Sequence, residues 1–237
     1  MKSQWFMKPK QWLAGSLFFF CLSQSLAQIT HQRVFDTVPY IMHHHQNRLK
    51  QFEKDPMTTG QIIFLGNSIT EGGQWQAYFP DSKVLNRGIG GDISFGIINR
   101  LSEITERKPN KLFLLIGIND IGMDIPEAVI ANNIAKIIQR IQSESPRTRI
   151  IVQSILPVNP EFDGFPQHYD KQYRVLMTNQ LLFKVCAEHE VEFLNLFPFF
   201  LDNRQRLKSE LTYDGLHLNE AGYALWVKIL KSEGLME

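Results

Sequence analysis

The sequence predicts an α/β protein: a three-layer α/β/α sandwich built on a five-stranded parallel sheet. Three observations predict it. Short, continuous apolar runs recur along the chain, and such runs fit parallel strands buried on both faces. Segments with helical periodicity lie between them. The connections are short, as alternating strands and helices folding back on one sheet require.

The strand runs come in order. Ile62-Ile63-Phe64-Leu65 ends at Gly66, Val84-Leu85-Asn86 ends near Gly88, and Leu112-Phe113-Leu114-Leu115-Ile116 ends at Gly117. Ile150-Ile151-Val152 opens a fourth run that stops before Pro157, and Val191-Glu192-Phe193-Leu194-Asn195-Leu196 is the fifth. Helical patterns follow the second, third and fourth runs. They cover Ile93 to Ile104, Pro126 to Ser143 and Tyr169 to His189, and a last one, Ala221 to Lys231, closes the chain. Pro126 stands at an early helical position, where its missing N–H costs nothing, and Ile130, Ile134, Ile137, Ile138 and Ile141 repeat along one face.

The segment before the first strand reads differently. Ile41 to Glu53 fits an amphipathic helix, with Ile41, Leu49 and Phe52 as its apolar contacts. His43-His44-His45 lies inside it. Consecutive helical residues point in different directions, so one metal ion does not easily take all three, and solvated surface is the expectation.

The bulk numbers fit one globular domain. The 237 residues carry 25 Lys and Arg against 24 Asp and Glu, a net charge of +1. That balance gives no reason to expect nucleic acid or an acidic membrane surface as a partner. At the N-terminus, Lys2, Lys8 and Lys10 precede the apolar stretch Leu13 to Leu22, which is too short to span a bilayer, and Ser25-Leu26-Ala27 has the small residues of a cleavage site. Residues 1–27 are therefore expected to be a secretory signal peptide, with an uncleaved anchor as the lesser alternative. Phe18-Phe19-Phe20 before Cys21 argues against a lipoprotein. The expectation is an exported protein, periplasmic or extracellular, without a stable membrane anchor. Residues 28–60 would form a helical extension packed on the domain, and 61–237 the domain itself. With Cys21 removed, Cys186 stands without a partner in a helical stretch, which suits a buried structural thiol.

Four segments carry chemistry. In a doubly wound sheet, sites form at the carboxyl ends of strands. Ser68, in Gly66-Asn67-Ser68-Ile69-Thr70, follows the first strand. Gly91, in Gly88-Ile89-Gly90-Gly91-Asp92, follows the second, and Asn119, in Gly117-Ile118-Asn119-Asp120, follows the third. Asp214-Gly215-Leu216-His217 comes late. A hydroxyl is a poor nucleophile without an adjacent base, and His217 can take its proton. Asp214, three residues earlier, can accept from the other ring nitrogen and fix the tautomer. Acyl transfer builds charge on a carbonyl oxygen, for which glycine backbone N–H groups and an Asn carboxamide are suitable donors. Asp92 and Asp120 are expected to hold their loops, and Arg87 to form a salt bridge rather than a substrate contact. The glycines at 88, 90 and 91 lack the spacing of a nucleotide-binding loop.

With those segments in that order, the chain resembles the SGNH hydrolases, also called GDSL-like esterases and lipases. Their hallmark Ser, Gly, Asn and His fall on Ser68, Gly91, Asn119 and His217, with Asp214 shortly before the His, and the likeness runs over roughly residues 61 to 230. The stretch LNRGIGGD is most similar to the branch holding platelet-activating-factor acetylhydrolase subunits and bacterial acylhydrolases. The resemblance implies a flavodoxin-like sandwich and ester hydrolysis without metal or cofactor. It further implies an oxyanion hole made by the Ser68 and Gly91 backbone N–H groups and the Asn119 side chain. One position departs from the pattern: the usual Asp before the nucleophile is Asn67, which can cap a helix but cannot supply charge.

The substrate is less legible. Pro157 to Tyr173 is rich in Pro and aromatic residues, so Phe162, Phe165, Tyr169 and Tyr173 are expected to line a cleft wall. Trp75 and Tyr78 are further candidates, with core packing as the equal alternative. A short-acyl, acetyl ester of a carbohydrate is the expected substrate. Short-chain lipid or lysophospholipid esters are the runner-up, and a catalytically idle carbohydrate-binding relative is the alternative of another class. No extended apolar segment suggests the lid of a lipase for long triglycerides.

Overall fold

Five strands pair in parallel in the order β2-β1-β3-β4-β5. They are β1 (Ile62–Gly66), β2 (Val84–Gly88), β3 (Lys111–Leu115), β4 (Arg149–Gln153) and β5 (Glu192–Leu194). The structure, a computed structural model, describes residues 39–237, with side chains from His43 onward. The expected signal peptide, residues 1–27, and the first part of the expected extension lie outside the described residues, as does the Ile41 side chain.

The central strands are buried as their composition demands. Ile63, Phe64, Leu65, Leu112, Phe113, Leu114 and Ile151 are all fully excluded from solvent. Strand β5 is shorter than its apolar run, because it forms the sheet edge: Glu192 is exposed and pairs with Arg149 at 2.5 Å.

Strand order dictates the layers. The chain moves from β1 to β2 in one direction and from β2 through β3, β4 and β5 in the other. Right-handed crossovers then put the β1–β2 connection on one face and the later crossovers on the opposite face. In chain order the helices are α1 (Pro39–Phe52), α2 (Ser68–Glu71), α3 (Trp75–Tyr78), α4 (Ser94–Asn99), α5 (Leu101–Thr105), α6 (Ile118–Gly122), α7 (Glu127–Glu144), α8 (Pro166–Tyr169), α9 (Gln172–Glu188) and α10 (Glu220–Ser232). Helix α7 packs against α4 and α9, and Ile130, Ile134, Ile137, Ile138 and Ile141 form its fully buried stripe. On the other face, Trp75 of α3 stacks on Phe64 of β1 with ring centroids 3.9 Å apart, and meets Trp226 of α10 edge-on at 4.8 Å.

Two expected helices are broken. Ile93 to Ile104 divides into α4 and α5 at Arg100, whose buried guanidinium leaves the helix path to bind Asp92, Gly66 O and Arg87 O. Tyr169 to His189 divides at Asp170 and Lys171, leaving α8 and α9. Cys186 is buried in α9, as expected of a structural thiol, and burial pushes it up to about 12.

Helix α1 is fastened to the domain by its last turn. Phe52 is buried, with the guanidinium carbons of Arg48 and Arg87 at 4.9 and 4.4 Å from its ring centre. Beneath it, Arg87 pairs with Glu103 and Asp55, each at 2.9 Å. That is the salt-bridge role expected of Arg87. Among the described residues no helix is long and apolar enough to cross a membrane.

The sheet order reverses between β1 and β3, which makes their carboxyl ends the topological switch point. Ser68 and Asn119 follow those two ends.

Candidate active site

Ser68 opens α2 immediately beyond β1. Asn67 caps that helix: its Oδ1 accepts the Ile69 N–H at 3.0 Å, and the residue is fully buried. The Asn in place of the usual Asp is thus structural, as expected.

His217 Nε2 lies 2.9 Å from Ser68 Oγ, and its Nδ1 lies 2.6 Å from Asp214 Oδ2. The carboxylate divides its work. Oδ1 accepts the N–H groups of Leu216 and His217 at 2.9 and 2.7 Å, which closes the turn and leaves Oδ2 for the imidazole. An ionised carboxylate only accepts, so Nδ1 carries the proton and Nε2 presents its lone pair to the hydroxyl. The ring is held on both sides, by Phe165 edge-on at 5.1 Å and by Tyr213 stacked at 5.9 Å.

Residues with N–H donors to spare line the same cavity as Ser68. The Ser68 and Gly91 N–H groups have no acceptor among the described residues. Gly91 has φ +77°, which a side chain would strain, and this conformation follows directly on Gly90. The Gly90 N–H is taken by Glu71 Oε2 at 2.5 Å, so of the two glycines Gly91 keeps the free amide. Asn119 Nδ2 donates one hydrogen to Asp92 O at 2.9 Å and retains a second.

The acidic residues beside these loops are braces, as expected. Asp92 pairs with Arg100 at 2.9 Å inside the protein, and burial raises its pKa despite that partner. Asp120 accepts from the Ser94 N–H and, at 2.5 Å, from the Ser94 hydroxyl. Burial pushes it up to about 6.

Ser68, Gly91, Asn119 and His217 line one cavity of about 440 Å³. Of the six aromatic residues expected on its walls, Phe165 alone lies there. Trp75 is fully buried in the aromatic core and donates to Thr70 O at 2.8 Å. Tyr78 stacks on Tyr223 at 6.4 Å, away from the cavity. Phe162 packs over Gly215, whose φ of +82° turns the chain toward it. Tyr169 is buried, and its hydroxyl donates to Asp214 O at 2.6 Å. Tyr173 points to solvent on α9, 63% exposed.

Other lining residues escaped the sequence. His44, Met123, Gln167, His168 and Leu216 all border the cavity. His44 corrects the expectation of a purely solvated His triplet: its Nε2 meets Glu71 Oε2 at 2.9 Å, whereas His43 faces Asn47 on the surface. The divergence of adjacent helical residues was legible; which of them would face the domain was not. His45, half-buried 3.9 Å from Asp92, has its pKa lowered by burial.

A parallel α/β sandwich with Ser, His and Asp meeting beyond the strand ends defines a hydrolase class of site. Residues 64–225 match the family model of the GDSL-like Lipase/Acylhydrolase family, and the chain belongs to that family. Helix α1 precedes the matched span. The chain is 26% identical over 196 residues to platelet-activating factor acetylhydrolase IB subunit alpha1 of Pongo abelii, covering 80% of each chain. A solved platelet activating factor structure from Streptococcus pneumonia superposes with a TM-score of 0.73 at 28% identity, covering 89% of this chain and 98% of that one. The acetyl xylan esterase AlAXEase shares the fold, with a TM-score of 0.62 at 18% identity over 73% of this chain and 98% of its own.

Proposed function

We propose that the protein is a serine esterase that hydrolyses carboxylic esters through an acyl-enzyme on Ser68. One observation carries the reading: hydroxyl, imidazole and carboxylate are linked at 2.9 and 2.6 Å, and the first two face a cavity also lined by residues with three unclaimed N–H hydrogens.

Each step uses groups of the chain. Ser68 Oγ attacks the ester carbonyl carbon while its proton passes to His217 Nε2. The carbonyl oxygen becomes an oxyanion, held by the Ser68 and Gly91 N–H groups and the free Asn119 Nδ2 hydrogen. The C–O bond to the alcohol breaks, and His217 returns the proton to the departing oxygen. Water then attacks the acyl-enzyme by the same route, releasing the acid. Asp214 keeps Nδ1 protonated and stabilises the imidazolium as it forms.

For the substrate, the support is for a short acyl group, with a carbohydrate as its alcohol. The cavity holds only about 440 Å³, and the polar His44, Gln167 and His168 line it beside the apolar Met123, Phe165 and Leu216, a mixed wall that suits a short acyl group on a polar alcohol. Similarity to platelet-activating factor acetylhydrolase subunits supports a second reading, a short-acyl lipid ester. For location, the segment 1–27 supports export, which N-terminal sequencing of the mature protein starting at Gln28 would test. The functional test is Ser68→Ala. It should abolish hydrolysis of p-nitrophenyl acetate while circular dichroism stays unchanged; retained activity would refute the assignment. Acetate release from acetylated sugars, beside lipid and acyl esters of graded length, separates the substrate readings.

A further inference from the structure

The segment Phe165–Tyr169 touches three parts of the site at once. Phe165 packs edge-on against the His217 ring at 5.1 Å. The Tyr169 hydroxyl donates to Asp214 O and accepts the Phe165 N–H at 2.9 Å. Between them, His168 Nε2 lies 3.3 Å from Asn119 Oδ1. Two residues on, Lys171 Nζ donates to Ile121 O and Gly122 O, at 3.1 and 2.9 Å, which ties the segment to α6, the helix that carries Asn119.

The hydrogen-bond chain fixes every orientation in turn. Asp92 O is a carbonyl and can only accept, so the Asn119 atom beside it is Nδ2. Asn119 therefore turns Oδ1 toward His168. Oδ1 also only accepts, so His168 carries its proton on Nε2 and donates. His168 is only 5% exposed, and its Nδ1 has no partner among the described residues. Burial, helped by the charge of Lys171, pushes its pKa down to about 4, so the ring is neutral at neutral pH. It sits in a slot that Gly122 leaves open: a Cβ at Gly122 would stand 2.5 Å from His168 Nε2.

We propose that His168 is a positioning residue for the oxyanion hole: its Nε2–H holds the Asn119 carboxamide so that the second Nδ2 hydrogen stays aimed at the reacting carbonyl oxygen. This rests on the reading of Asn119 as an oxyanion donor. Without the His168 contact, the Asp92 carbonyl alone restrains the amide, which can turn about its last side-chain bond. A donor that must be reoriented during the reaction is worth less than one already in place. The same short segment thus steadies the base, the acid and the oxyanion donor.

The test compares two replacements of similar length, one with an N–H donor and one without. His168→Gln and His168→Met are each made in the wild-type and Asn119→Ala backgrounds, with kcat and KM measured on p-nitrophenyl acetate and folding checked by thermal unfolding. Removing an oxyanion donor costs roughly 10²- to 10³-fold in kcat, so Asn119→Ala should fall in that range. His168→Met should lower kcat about tenfold with KM within about twofold, and His168→Gln should recover most of the loss. In the Asn119→Ala background, Met and Gln at position 168 should turn over equally. Wild-type kcat in Asn119→Ala would overturn the oxyanion reading and this proposal with it. A full Asn119→Ala defect, with the Gln and Met variants equally active in the wild-type background, would overturn this proposal alone. So would a Met-to-Gln difference that persists without Asn119.

Discussion

The carboxylate of Glu71 accepts the N–H of Gly90 and thereby leaves the N–H of Gly91 as the free amide of the glycine loop. Glu71 lies three residues after Ser68, so the turn that presents the hydroxyl also shapes the loop that would receive the oxyanion. His44 and Arg48 of α1 bind the same carboxylate, at 2.9 and 3.2 Å. A helix that precedes the family-matched residues is therefore tied to the loops that border the cavity.

Glu71→Ala should lower kcat by about tenfold and stability by about 2 kcal/mol, the worth of a hydrogen bond to a charged group. Steady-state kinetics and urea unfolding measure the two effects. Unchanged kcat would mean that the glycine loop keeps its shape without this anchor.

Asp214→Asn and His217→Ala should differ in size. An Asn that offers its oxygen to the Leu216 and His217 N–H groups turns its amide toward Nδ1 and favours the wrong tautomer. By analogy with Ser-His-Asp hydrolases, loss of the acid should cost roughly 10⁴-fold in kcat and loss of the base roughly 10⁶-fold. Single-turnover kinetics on p-nitrophenyl acetate checks the order. A larger loss in Asp214→Asn would reverse the two supporting roles.

Trp75 and Phe165 separate core from site. Trp75→Ala should cost about 3–5 kcal/mol of stability through the cavity it leaves, with KM unchanged in the folded fraction. Phe165→Ala removes a cavity wall and the edge contact to His217, so both KM and kcat should shift. Tyr173→Ala should alter neither. A raised KM in Trp75→Ala at intact stability would return that residue to the substrate wall.

His168 should make the fold acid-sensitive. Its folded-state pKa, about 4, lies below the ordinary 6.5. Above pH 6.5 the ring is neutral in both states, and the full stability is present. As pH falls from 6.5 to about 4, the unfolded chain takes up a proton that the folded chain does not, and stability is lost. The depression corresponds to about 3 kcal/mol. Urea unfolding at about pH 7.5 and about pH 4.5 should show His168→Gln losing less than wild type by roughly that amount. Equal losses would mean that the buried imidazole titrates normally.

The sheet and the four motif segments were legible because they depend on local signals. Continuous apolar runs mark strands buried on both faces, and glycines mark their ends. The walls of the cavity were not, because the burial of an aromatic residue is set by partners far along the chain. Trp75 belongs to the core because Trp226 packs on it, and Tyr169 belongs to the frame because its hydroxyl donates a hydrogen bond to Asp214 O. His44 reaches the cavity only because α1 docks through Phe52 between two guanidinium groups. The helix breaks at Arg100 and at Lys171 likewise coincide with tertiary contacts that periodicity does not encode.

The most direct measurement is active-site labelling. A fluorophosphonate probe is added to the wild-type protein and to the Ser68→Ala and His217→Ala variants, and the modified peptide is located by mass spectrometry. The adduct should sit on Ser68 in the wild type, vanish in Ser68→Ala and form far more slowly in His217→Ala. A wild-type protein that hydrolyses esters while Ser68 stays unmodified would contradict the assignment of this serine as the nucleophile.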